Sequence, residues 1–193
     1  MPSNKDRLYI ALHPRGGSVH TPLGQERYHW SLVLAPKGSH ACSSDHVILH
    51  AKETLSEGGG GGVAGGTSTW VFEERRVPPE RSMPLLARVC VAKVVQREKL
   101  LQILRAVPVR AGEVQGWNCV GWVREALARL EQEKHVLGRN VLGRDWEEQR
   151  DACTAYVKRK KEAHRYDGRA AEGEYDMSLI PTWDMLLGRE TVP

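Results

Sequence analysis

Three side chains of this 193-residue chain have the types needed for acyl transfer through sulfur: Cys119, His29 and His50. Cys119 lies in "GWNCVGWVREAL", residues 116–127, where a short polar segment turns into an amphipathic run. Asn118 is a favoured N-cap residue, and Trp117 and Trp122 have the spacing of a hydrophobic staple around it. Cys119 is therefore expected in the first turn of a helix. There, unpaired backbone N–H groups and the positive helix end depress a thiol pKa and can receive an oxyanion. A thiol so placed should react with iodoacetamide below about pH 8. Taken alone, a cysteine at a helix start is as readily a small buried packing residue.

The histidines shift that balance. A thiol nucleophile needs an imidazole within reach and a polar group that holds the imidazole in one tautomer. His29, in "YHWSLVLA", shares a strand face with Ser31 and Val33, and His50 closes "DHVILH" on the face of Ile48 and His46. Two adjacent antiparallel strands would bring the histidines together, with the Cys119 helix packed on that face. Zinc is the competing use of His29, His46 and His50 with Asp45. Residues two apart on a strand already stand about 7 Å from each other, a loose fit to one ion. Neither a metal nor another cofactor is expected.

The elements that must position these groups follow from periodicity. Residues 7–13, 28–35, 45–53, 68–77 and 84–95 are short, rich in β-branched or aromatic residues, and separated by Gly, Pro, Ser and Asn clusters, so they read as strands. After residue 95 the period becomes helical. Residues 96–107 carry Leu100, Leu101, Ile103 and Leu104 and end at Pro108; a second helix runs from Asn118 with Gly138 as its stop; a third spans 144–165. The fold expected is α+β: an antiparallel sheet of about five strands with the nucleophile helix and further helices packed on one side. Residues 1–138 would form the catalytic core, with a mobile Gly-rich loop at 56–66. Residues 139–193 would add a helix with a basic end and a docking tail around "SLIPTWDMLL". The glycine run leads into a strand rather than a helix, so it is no phosphate cradle.

Bulk properties narrow the class. The charged share of 27% and hydrophobic share of 40% are those of a folded globular chain. No apolar run is long enough to cross a membrane, and the N-terminal "LYIAL" is too short for a secretion signal, so a cytoplasmic location is expected. The four cysteines are widely spaced, as free thiols would be. The net charge of +4 and the run "KRKK" (158–161) fit either a solvated helix end or a phosphate-contacting surface.

The motifs "YHWSLVLAPKG", "DHVILHAKE" and "NCVGWVREAL", in that order, resemble the circularly permuted branch of the NlpC/P60 superfamily of papain-like thiol enzymes, which includes lecithin–retinol acyltransferase-like and PPPDE proteins. The resemblance covers roughly residues 7–130. It implies Cys119 as nucleophile, His29 as general base and acid, and His50 as the orienting residue. The glycine insert, third helix and tail depart from that family pattern and leave the substrate open. The size and layout are also similar to small fungal arginine-containing cyclodipeptide synthases. That likeness implies an aminoacyl substrate, aminoacyl-tRNA as a partner for the basic surface, and Glu53 or Glu125 facing an arginine. Transfer to an amine, amide hydrolysis by a thiol peptidase, and a non-catalytic binding module remain the three readings.

Overall fold

The computed structural model describes residues 5–15, 28–39, 45–56, 67–76, 85–110 and 113–193. The five alternating or continuously apolar segments all become strands: β1 (Arg7–Pro14), β2 (Tyr28–Ala35), β3 (Val47–Ser56), β4 (Thr67–Arg76) and β5 (Ala87–Val94). They pair antiparallel in the order β4-β3-β2-β1-β5. β1 lies between β2 and β5, and its residues from Arg7 to His13 are all buried, as a strand covered on both faces must be.

The sheet does not stop at five strands. β6 (Leu137–Asn140) pairs antiparallel with β5, β7 (Thr182–Asp184) runs parallel to β5, and β8 (Arg189–Val192) folds back on β7. The architecture is thus a mixed sheet of eight strands, which corrects the expectation of about five antiparallel ones; the class remains α+β. The additional strands have only three or four residues each, and they form because β5 has a second edge whose N–H and C=O groups need partners. The tail therefore completes the sheet rather than lying on it. The boundary expected at residue 138 falls inside β6.

Three helices, α1 (Arg97–Arg105), α2 (Cys119–Gln132) and α3 (Trp146–Glu162), lie against one face. Directly opposed residues in a ladder share a face, so Trp30, Leu32, Leu49, Phe72 and Glu74 look the same way. On that side Phe72 packs on Trp122 of α2, Glu74 binds Arg105 of α1, and Trp30 packs on Trp146 of α3. α2 buries Val120, Val123, Ala126, Leu127 and Leu130, the stripe that its three- and four-residue repeat demands. It ends at Gln132, earlier than Gly138 suggested. The chain turns through His135 in a left-handed conformation (φ 67°), and Gly138 sits within β6. The glycine segment 57–66 lies outside the described residues. Among those residues no helix is long and apolar enough to cross a membrane.

Candidate functional site

The opposite face of the sheet carries the odd-numbered residues of β2, and it is here that histidines collect. His13 and His29 are cross-strand partners on β1 and β2, with ring centroids 5.8 Å apart. His13 Nε2 is 2.8 Å from the hydroxyl of Ser31. β2 and β3 pair only from Leu32 to Leu34, so near His29 the two strands are joined by side chains rather than by the ladder. His29 Nε2 meets His50 Nδ1 at 2.5 Å, and His50 Nε2 meets Glu73 Oε2 at 2.9 Å. Lys52 Nζ lies 2.7 Å from the other Glu73 oxygen.

This chain of bonds sets the tautomers. A carboxylate only accepts, so His50 Nε2–H donates to Glu73 and His50 Nδ1 is left with a lone pair. His29 Nε2–H then donates to that lone pair, and His29 Nδ1 becomes the basic nitrogen. Burial works against the Glu73 carboxylate, but hydrogen bonds from Lys52 and His50 outweigh it and hold its pKa below the usual range. Burial, followed by the neighbouring His50, His13 and Arg15, lowers His29 to about 3. Burial also lowers His50 against the pull of Glu73. Both imidazoles are neutral at pH 7, which the bonding pattern requires.

Cys119 opens α2. Asn118 caps the helix as expected, its Oδ1 accepting from Val120 N at 2.9 Å and Gly121 N at 3.4 Å; such a cap contributes about 1 kcal/mol. The two tryptophans each meet an aromatic ring of β4. Trp117 stacks edge-on against Trp70, gives its indole N–H to Glu125, and crosses Gly121 so closely that a Cβ there would lie 3.0 Å from its ring. Trp122 turns instead to Phe72. Both rings thereby tie the start of α2 to β4. The Cys119 sulfur takes a backbone hydrogen bond from Trp30, the residue after His29, at the stretch of β2 that lacks a β3 partner. The α2 helix was expected on the face that holds His29 and His50; it lies on the opposite face, against the side of Trp30 and Phe72, because the apolar residues that can bury its stripe are there.

Two expectations about this thiol need correction. Burial raises the Cys119 pKa, ahead of the opposing backbone N–H of Trp30, the Arg15 charge and the helix-start N–H groups, so the resting group is a thiol and not a thiolate. Its side chain is 2% exposed. The amides of Val120 and Gly121 are spent on the cap, which leaves the N–H of Cys119 itself for an oxyanion. The structure places Cys119 at the backbone of Trp30, the residue next to His29, and bonds the two histidines. Among the described residues no hydrogen bond joins the sulfur to His29.

Glu73 was not identified from sequence; its signal was the hairpin register, which pairs it directly with His50. His46 stays apart, 2.6 Å from Ser39. Glu53 and Glu125 already face arginines of the chain itself, Arg15 at 3.8 Å and Arg110 at 2.8 Å. Of the basic run of α3, Lys158, Arg159 and Lys161 are exposed and only Lys160 is buried. Lys160 is buried against Glu190, Arg159 lies over the Tyr156 and Trp183 rings, and Lys161 lies over Tyr28.

Comparison with known proteins matches residues 5–192 to one family, DUF6914, described as a family of unknown function. The chain therefore belongs to that family. No curated protein and no solved structure matches it.

Proposed function

We propose that this member of the DUF6914 family is a cysteine-nucleophile acyl-transfer enzyme in which Cys119 carries a thioester and His29, oriented by His50 and Glu73, moves the protons. The observation that carries this reading is the directed chain Glu73–His50–His29. It leaves a single basic nitrogen, His29 Nδ1, on the residue next to Trp30, whose backbone N–H bonds the Cys119 sulfur. A carboxylate that fixes one imidazole which fixes a second is the arrangement a general base needs.

The reaction starts from a neutral thiol and a neutral imidazole. As Cys119 Sγ bonds to the substrate carbonyl carbon, His29 Nδ1 takes the thiol proton and the carbonyl oxygen becomes an oxyanion facing the Cys119 N–H. Collapse breaks the bond to the leaving group, which receives the proton from His29, and the thioester remains. An amine or water then attacks the thioester carbon and gives its proton to His29. The sulfur leaves and is reprotonated. An amine acceptor gives an amide by transfer, the preferred reading, with a small acyl or aminoacyl substrate and, in its most specialised form, an aminoacyl-tRNA donor in arginine-containing cyclodipeptide synthesis. Water gives hydrolysis, as in a thiol peptidase or amidase.

The test is turnover of aminoacyl and short-chain acyl N-acetylcysteamine thioesters, with and without arginine amide as acceptor. Thiol release that requires Cys119, with amide formed at the expense of acid when the amine is present, is the expected result. Equal release by Cys119→Ala rejects the reading. One observation favours the non-catalytic alternative, namely the buried, un-ionised thiol of Cys119; that alternative predicts no release from any substrate.

A further inference from the structure

Away from Cys119, at the junction of β1, β5 and β7, the helix-free face holds a cleft of about 270 Å³. Its lining includes five cationic side chains, Arg7, Lys37, Arg88, Lys93 and Arg139, and a single carboxylate, Asp184. That carboxylate is occupied locally: Asp184 Oδ1 accepts from Leu186 N at 2.8 Å and Leu187 N at 3.0 Å, closing the turn between β7 and β8.

The cations are built into the fold. Arg7 and Lys93 are direct cross-strand partners on β1 and β5, a like-charge pairing that costs stability unless an anion lies between or beside them. Arg7 is only 7% exposed, and its guanidinium donates to two neutral carbonyls, those of Lys5 at 2.8 Å and Asp6 at 3.2 Å. The adjacent Asp6 carboxylate is committed to Arg97. Arg7, Lys37, Lys93 and Arg139 form no ion pair among the described residues. A buried guanidinium ion-paired to no carboxylate among the described residues is expensive, so a charge of the opposite sign belongs in this space. Beside the cations, Arg88 lies over the Tyr9 ring at 4.4 Å, and Leu186 and Leu187 supply apolar wall.

We infer that this cleft is a binding site for a phosphate monoester of a small, flat or apolar molecule. The phosphate sits among Arg7, Lys93 and Arg139, where a doubly charged group takes charge-assisted hydrogen bonds from several cations at once. The organic part lies along Tyr9, Leu186 and Leu187. The site stands apart from the Cys119 chemistry and does not depend on it.

Isothermal titration of the full chain with phenyl phosphate tests this. Saturable 1:1 binding is expected, with phenol showing none. Lys93→Gln and Arg139→Gln, both on accessible side chains, should each weaken binding about tenfold, while Cys119→Ala binds as the wild type does. Absence of saturable heat up to about 10 mM phenyl phosphate, or binding equal in the wild type and in folded Lys93→Gln and Arg139→Gln, overturns the assignment.

Discussion

Cys119 and Cys153 are both buried helix cysteines, yet their surroundings differ in every polar respect. Cys153 lies well inside α3, and burial alone drives its thiol pKa far up. Cys119 is the first residue of α2, and the same desolvation is opposed by the Trp30 N–H, by Arg15 and by the helix-start N–H groups. Depth is nearly equal, 2% against 0% exposure. The contrast teaches that at this depth reactivity is decided by which polar groups accompany the sulfur, and that a buried thiol can be a nucleophile only if a neutral base is delivered to it. In the proposed mechanism the Glu73–His50–His29 chain is such a delivery; for Cys153 burial is the one influence on the thiol among the described residues.

The comparison breaks most clearly by exchanging the two thiols in turn. Cys119→Ser should lower thioester turnover roughly a thousandfold or more. Cys153→Ala should leave the rate unchanged and cost about 1 kcal/mol of stability, read from denaturant unfolding. Removing the base comes next: His29→Gln should reduce kcat by roughly 10²–10⁴, the usual share of a general base. Glu73→Gln should cost less, and its loss should fall on kcat with KM unchanged, because the residue orients His50 without touching substrate.

The smallest effect is on stability against pH. His46 is fully buried, and burial followed by the charge of Arg88 lowers it to about 4. Between the unfolded value near 6.5 and about 4, the unfolded chain binds a proton that the folded chain refuses. Stability therefore falls as pH drops through that window, by up to about 1.4 kcal/mol per pH unit for such a group, and levels off below it. His46→Gln should flatten that part of the thermal-unfolding profile.

The first five strands and all three helices were legible because each carries its own period: β-branched alternation in "YHWSLVLA", apolar spacing in "CVGWVREALARL", and an Asn cap before it. β6, β7 and β8 were not. Each is too short for a period, and β7 forms as the parallel partner of β5 across 87 residues of intervening chain, Val95 to Pro181. The apolar patch in "SLIPTWDMLL" was visible, but its pairing was not. In the site, His29 and His50 could be placed on a shared face from strand alternation. Glu73 required the register of the β3–β4 hairpin, which the long glycine segment between the strands conceals. The cationic cleft is likewise a product of register, since Arg7 and Lys93 become neighbours only when β1 lies on β5. Helix position alone gave the wrong sign for the Cys119 pKa, because desolvation exceeds the effect of the amides.

The most direct test is peptide-resolved mass spectrometry of the protein mixed with an aminoacyl N-acetylcysteamine thioester and quenched in acid. The account predicts one acyl adduct, on Cys119, that accumulates in the wild type and is lost in His29→Gln. An adduct spread evenly over Cys42, Cys90, Cys119 and Cys153, or equal labelling of Cys119 in His29→Gln, would contradict it.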